Sequence, residues 1–383
     1  MTAYQVIVLS GGGSKGPYGL GALLALEKFH LERVKKVTQV FCGTSVGALN
    51  ATLAAQNELS TLTSLYSTIT TKEIIGKSTA KLGRWRMFRR QHKAPFHYFD
   101  NTNLRATITK YANFEKLENS HLLICATNYT TGRLETFYKS SLVDEFIEFE
   151  LTKEVDSRRL VNFHRIKSQD DLINALMAST AIPFYLPPIS IDKSIYVDGG
   201  IGNNTPLRQA AHLARFLSCK GDSTLEPTYC IINEPARFKI NSDHVNGISG
   251  VVRRTMDIYH NEIVSDAHGS WEKINHEVQK TEEKKRLLSS QIDGMDDLDI
   301  ATRASLKERL VDSYSNGTAS TKKCDLRIYV VRPKYQLIED ILEFNPKKSN
   351  EIRMTGIADC LELLRHSHLI THNNHLQWSE ELD

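Results

Sequence analysis

A serine flanked by glycines, "GTSVG" at residues 43–47, follows the apolar run "VTQVFC" and precedes the Ala-rich "ALNATLAAQN". This G-x-S-x-G at a strand-to-helix turn holds the Ser45 hydroxyl proud of a sheet, and Gly43 and Gly47 allow the turn to be sharp. The hydroxyl sits at a helix N-terminus, where backbone N–H groups and the macrodipole favour negative charge. A serine alcohol needs a neighbour to take its proton. One candidate is Asp198 in "YVDGG", residues 196–200, where an apolar strand delivers a carboxylate to a turn made by Gly199 and Gly200. Such a strand end opens into the crevice where open α/β sheets bind ligands. The chain has 14 histidines. His366, His368, His372 and His375 cluster near the C-terminus, in a pattern that reads equally as a solvated terminal helix.

A third glycine-rich stretch, "LSGGGSKG" at residues 9–16, follows the run Tyr4 to Leu9. Gly11, Gly13 and Gly16 fit the G-x-G-x-x-G of a dinucleotide-binding turn. That reading also needs an acid at the end of the second strand to hold a ribose, and "VFCGTS" has none. Lys15 is followed by glycine rather than by Lys-Ser or Lys-Thr, so a P-loop fails too. With the serine turn next to it, the loop gains another role. Its N–H groups supply half of an oxyanion hole, which a side chain beyond Cβ would obstruct.

The elements that must position these residues read as an α/β domain. Strand candidates at 4–10 and 37–42 each lead through a glycine turn into a helix. Further strands are expected at 121–129, 133–138, 194–200, 228–234 and 326–333, and helices at 170–180, 206–217 and 350–366. Continuous apolar strands alternating with helices predict a parallel sheet covered on both faces. The catalytic core is expected over 1–260, a helical insertion over 262–312, and a C-terminal strand and helix completing the core over 324–383. The insertion is charged and reads as a cap or a dimerisation element.

The three motifs together resemble the patatin-like phospholipase family, whose pattern is G-G-G-x-(Arg or Lys)-G, then G-x-S-x-G, then D-G-(Gly or Ala). "ALMASTAIPFYLPPI" and "DGGIGNNTP" are similar to the family's approach to, and exit from, its aspartate strand. The resemblance covers residues 5–235 and resumes at the strand near 326. It implies a three-layer α/β/α fold with a central, mostly parallel sheet, and a Ser45–Asp198 dyad cleaving acyl esters of phospholipid or lysophospholipid. It further implies an oxyanion hole of Gly11, Gly12, Gly13 and Val46, with no cofactor and no metal. Lys15 stands where the family has its basic residue; a solvated charge at a helix start is the plain alternative. Two other functions stay open: a nucleotide-binding protein using the glycine loop as a phosphate cradle, and an acyltransferase passing the same acyl-enzyme to an alcohol.

Composition sets outer limits. The 383 residues carry a formal net charge of +3, which gives no global case for nucleic acid. Six scattered cysteines without a CxxC pair or zinc spacing suggest a reducing compartment. Without a signal-peptide start or an apolar run long enough to span a bilayer, the chain is expected in the cytoplasm, at most visiting membrane surfaces. Residues 77–93 hold seven Lys or Arg and no acid. There Arg84, Trp85, Arg86, Phe88, Arg89 and Arg90 interleave charge with bulky apolar groups, as in segments that lie on anionic lipid. RNA contact or a solvated cap loop would read the same way. Nothing in the sequence fixes the oligomeric state.

Overall fold

The structure is a computed structural model. It describes residues 2–32, 37–78, 97–151, 162–218, 220, 223–235, 280, 283–284, 286–295, 299–315, 327–338, 340–367, 369 and 381–382. Contacts divide the chain into two units, Met1–Val264 with Ile328–Asp383, and Ser265–Arg327. In the second unit a helix spans Ile300–Ser315, and Lys307 pairs with Asp293 at 2.6 Å.

The first unit is a mixed α/β structure around a ten-stranded, largely parallel sheet flanked by helices, as the sequence predicts. Strand β1 (Thr2–Leu9) leads through the glycine loop to α1 (Gly16–Leu31). Then follow β2 (Val37–Thr44), α2 (Val46–Ala55), α3 (Leu59–Thr68), α4 (Thr71–Ile74) and α5 (Thr102–Tyr111). Strands β3 (His121–Asn128) and β4 (Arg133–Lys139) come next, then α6 (Ser141–Leu151), β5 (Phe163–Arg165) and α7 (Gln169–Ser179). The remaining strands are β6 (Ile189–Ile191), β7 (Ser194–Asp198), β8 (Ser223–Leu225), β9 (Thr228–Ile231) and β10 (Ile328–Val331). Helices α8 (Gly200–Asn203) and α9 (Leu207–Ser218) follow β7, and α10 (Pro346–His366) follows β10.

The main path runs β10-β9-β1-β2-β3-β4-β5. Pairing is parallel from β10 to β3; β4 and β7 lie antiparallel to β3. Continuous apolar character puts β1 at the centre. Ile7 and Leu9 join the main core, while Val6 and Val8 are buried on the alternate face. Ser45 and the glycine loop therefore emerge side by side at the C-terminal edge of the central strands. The antiparallel β7 brings Asp198 to the same edge, opposite Ala126 of β3.

Helix α10 closes this unit by packing along α1. Tyr18 donates a hydrogen bond across the pair to Asp359 at 2.9 Å. The helices meet at Gly356, where a Cβ would stand 2.1 Å from the Tyr18 carbonyl oxygen. In an open helix, Gly→Ala gains about 1 kcal/mol from propensity. At position 356 the added methyl meets backbone that cannot swing aside. Gly356→Ala is expected to lose about 1–3 kcal/mol through overpacking, read as a lower urea midpoint. A higher midpoint would show that the two helices are not in close contact at this residue.

Candidate active site

Ser45 adopts φ 54° and ψ −127°, a backbone conformation that costs a non-glycine residue about 1–3 kcal/mol. Its surroundings hold it there. The Ser45 N–H donates to Ser179 Oγ at 2.9 Å, and that hydroxyl donates to the Cys125 carbonyl at 2.7 Å. The Ser45 carbonyl accepts the Ala48 N–H in the first turn of α2. Gly47 lets this turn pass under β1, since a Cβ there would lie 2.4 Å from the Leu9 carbonyl oxygen. Gly43 sits one residue inside the end of β2.

The Ser45 hydroxyl donates to Asp198 Oδ2 at 2.6 Å. The other carboxylate oxygen accepts the Gly200 N–H at 2.7 Å. Both side chains are buried, the serine 5% and the aspartate 6% exposed. The Asp198 backbone is fixed by its own N–H to Ala181 O and by Thr127 Oγ1 donating to its carbonyl. Gly199 N–H reaches Ser179 O at 3.4 Å. Burial pushes the Asp198 carboxyl from 3.8 up to about 6, while the Ser45 hydroxyl and the Gly200 amide pull it partly back. Among the described residues no histidine bonds to Ser45 or Asp198. His366 lies at the C-terminal end of α10 against Arg365; His368, His372 and His375 fall outside the described residues.

The glycine loop differs from the expectation at one amide. The Gly11 N–H is taken by the Asn204 carbonyl at 3.0 Å, so it holds the loop to the turn after β7 instead of facing a substrate. The amides of Gly12, Gly13 and Val46 have no acceptor among the described residues. Gly13 and Val46 also line the cavity beside Ser45. Gly13 has φ 56°, and a Cβ there would stand 2.2 Å from the Ile341 carbonyl oxygen.

Lys15 is not a solvated charge. It is buried and forms an ion pair with Glu234, itself buried after β9. Arg332 donates to the Glu234 carbonyl at 3.1 Å. The neighbouring Asn233 donates from Nδ2 to the carbonyls of Ser10 and Gly11, and its N–H donates to Ser10 Oγ. Residues 233 and 234 thus hold the glycine loop from behind. Both are missing from the sequence expectation. The signal that singled out Asp198, a carboxylate ending an apolar strand, also marks Glu234. Ser179 has a weaker signal, as the last residue of the small-residue helix before "TAIP".

From Ser45 an apolar cavity runs between α2, α3, α5 and α7. Leu49, Leu53, Leu62, Ile74, Ile108 and Phe344 are typical of its walls. Its hydrocarbon walls suit an apolar group better than a polar one.

Arg84, Trp85, Arg86, Phe88, Arg89 and Arg90 lie outside the described residues. The chain flanking them is described: Ser78 bridges to Phe99, and His97 to Phe184. Among the described residues no cluster of His, Cys, Asp or Glu is arranged to hold a metal ion, and no helix is long and apolar enough to cross a membrane.

Comparison with known proteins matches residues 7–211 to the model of the patatin-like phospholipase family. A cGAMP-activated phospholipase of Pseudomonas aeruginosa is 27% identical over 226 residues, 57% of this chain and 60% of that protein. The match thus spans less than two thirds of this relative's length. A mimivirus protein, L620 of Acanthamoeba polyphaga mimivirus, is 24% identical over 60% of this chain and 71% of its own. The solved structure of VipD from Legionella pneumophila aligns at a TM-score of 0.38 and 13% identity, over 95% of this chain and 67% of that one, a likeness too slight to bear on the site. The family match covers more than half of the sequence and includes both the glycine loop and the Ser45 turn, so the chain belongs to the patatin-like phospholipase family.

Proposed function

We propose that the protein is a lipid acyl-ester hydrolase of the phospholipase A or lysophospholipase type, working through an acyl-enzyme on Ser45. The observation that carries this reading is the buried Ser45–Asp198 hydrogen bond at the end of an apolar cavity. A nucleotide phosphate would find hydrocarbon walls there, whereas an acyl chain fits them. The family's phospholipase description, and that word in the name of the Pseudomonas relative, support a lipid substrate.

The acyl chain enters the cavity and its ester carbonyl rests beside Ser45. Asp198 takes the hydroxyl proton as Oγ forms a bond to the carbonyl carbon. The resulting oxyanion is met by the amides of Gly12, Gly13 and Val46. Collapse of the tetrahedral intermediate breaks the ester C–O bond, and Asp198 returns the proton to the leaving alkoxide. Water then attacks the acyl-enzyme, giving its proton to Asp198, and the fatty acid leaves as Ser45 recovers its hydrogen. A carboxylate at 3.8 is a weak base; one raised to about 6 is closer to the neutral range where general bases work best. The basic segment 77–93 would bring this site onto anionic membrane, each Lys or Arg near the surface adding about 1 kcal/mol.

Stoichiometric labelling by a fluorophosphonate is expected for the wild type and absent in Ser45→Ala. Asp198→Asn should lose about 10²–10⁴-fold in kcat/KM, the usual worth of a general base. If Asp198→Asn kept most activity while a single histidine substitution abolished it, the dyad assignment would fail.

The titration of Asp198 has two readouts. Only the ionised form accepts a proton, so kcat/KM on a soluble ester should rise with pH through about 6 and level above it. Stability runs the other way. A carboxyl raised in the folded state stabilises the fold fully below 3.8 and loses that contribution as pH climbs through about 6. The rise corresponds to about 3 kcal/mol at most. Asp198→Asn should therefore be more stable than wild type at neutral pH, with the advantage vanishing in acid. Equal midpoints at neutral pH would show that burial does not strain this carboxylate.

Replacing Arg84, Arg86, Arg89 and Arg90 by Gln should weaken binding to anionic vesicles while sparing hydrolysis of a short soluble ester. Loss of both together would make the segment an ordinary cap.

A further inference from the structure

We infer that Leu65 and Tyr111 form a partition bounding the cavity, with Tyr111 at its far end, and so set the longest acyl chain that the site accepts. This rests on the acyl-ester hydrolase reading above.

Helix α2 measures the distance. It starts at Ser45, and Gln56 follows its last residue. Gln56 Nε2 donates to the Tyr111 carbonyl at 3.0 Å, and its Oε1 accepts the Asn113 N–H at 2.8 Å. The end of α5 is therefore tied to the far end of α2. At 1.5 Å per residue, the eleven steps from Ser45 to Gln56 span about 16 Å. The cavity reaches across this interval, from Ser45 and Val46 to Leu53, Tyr111 and Ala112.

Beyond lies a second hollow, an open groove lined by Ser60, Thr61, Ser64 and Thr68 of α3. The two hollows share two side chains, Leu65 and Tyr111. Both are half-buried, with one side on hydrocarbon and the other on the groove. Lys110 Nζ stands 4.9 Å from the Tyr111 ring centre, adding a cation–π contact to the wall. The groove's hydroxyls are already engaged: Thr61 with Glu58, Ser64 with the Ser60 carbonyl, and Thr68 with the Ser64 carbonyl. The chemistry changes abruptly at the partition. A methylene on the Ser45 side gains apolar contact, whereas one pushed past Leu65 and Tyr111 enters a wet, hydroxyl-lined channel. A hydrophobic pocket discriminates by about tenfold or more for each methylene it holds or rejects, so a fixed end wall becomes a length limit.

The test compares kcat/KM for butyryl, octanoyl, lauroyl, palmitoyl and stearoyl esters. Leu65→Ala with Tyr111→Ala removes the wall, and the stearoyl-to-octanoyl ratio is expected to rise about tenfold. Ala112→Leu adds bulk on the cavity side and should move the ratio the other way. Using ratios within each variant removes any general loss of activity. Circular dichroism and fluorophosphonate labelling check folding, and Leu65→Ala alone serves if the double variant does not fold. Unchanged ratios in folded, labelled variants overturn the partition. A wild type with no Ser45-dependent hydrolysis of any ester overturns the hydrolase reading instead. In that event displacement of a fluorescent fatty acid by free acids of increasing length reads the same limit without turnover. A longer preferred acid in the opened variant supports the partition, and an identical length profile overturns it.

Discussion

The hydrogen bond from Ser45 to Asp198 joins residues 153 positions apart in the chain, and the surrounding architecture serves to keep it short and dry. Two strands must end at the same edge of the sheet for it to form. β2 delivers the serine, and β7, antiparallel to the intervening β3, delivers the aspartate. The Cys125 carbonyl on β3 sits between them and, through Ser179, fixes the serine backbone. Ser179 at the end of α7 thus links the strand and the strained turn through its hydroxyl, and the aspartate loop through its backbone carbonyl, which accepts the Gly199 N–H.

Burial has opposite effects on the two charged groups near this bond. At Asp198, desolvation pushes the carboxyl from 3.8 up to about 6. The Ser45 hydroxyl and the Gly200 amide limit the rise. Lys15 gains nothing chemical from burial of its charge, and a buried ion pair is seldom a net source of stability. Its position matters more. Glu234 holds Lys15 directly after the glycine loop, while Asn233 holds Ser10 and Gly11 directly before the open amides. The loop is anchored on both sides of Gly12 and Gly13, whose N–H groups have no acceptor among the described residues.

What the sequence makes legible is local. Gly43, Ser45, Gly47, Asp198 and Gly200 stand out because a sharp turn and a strand end impose requirements on neighbouring residues. The apolar runs around them place most strands correctly, and β1 and β2 especially. Partners brought in from afar impose no such pattern. Asn204 takes the Gly11 amide, and neither residue's type announces that bond. Lys15 looks like a surface charge until β9 places Glu234 beside it. The cavity walls are less legible still, because Leu62, Ile74 and Ile108 read as ordinary amphipathic core positions until their helices leave a space between them.

That contrast also separates chemistry from selection along the chain. Ser45, Asp198 and the amides of Gly12, Gly13 and Val46 follow or end β1, β2 and β7 of the sheet. Much of the cavity comes from α3, α4 and α5, which lie between β2 and β3 in sequence and contribute no strand. These helices touch the catalytic frame chiefly by packing, so their side chains can change volume without moving Ser45 relative to Asp198. A sheet carrying Ser45 and Asp198 and a helical wall shaping the cavity are thus separate parts of the fold. The link between them is α2, whose N-terminus follows Ser45 and whose far end, through Gln56, holds the Tyr111 backbone. The same helix whose first turn positions Ser45 thus fixes, from its other end, the cavity-lining Tyr111.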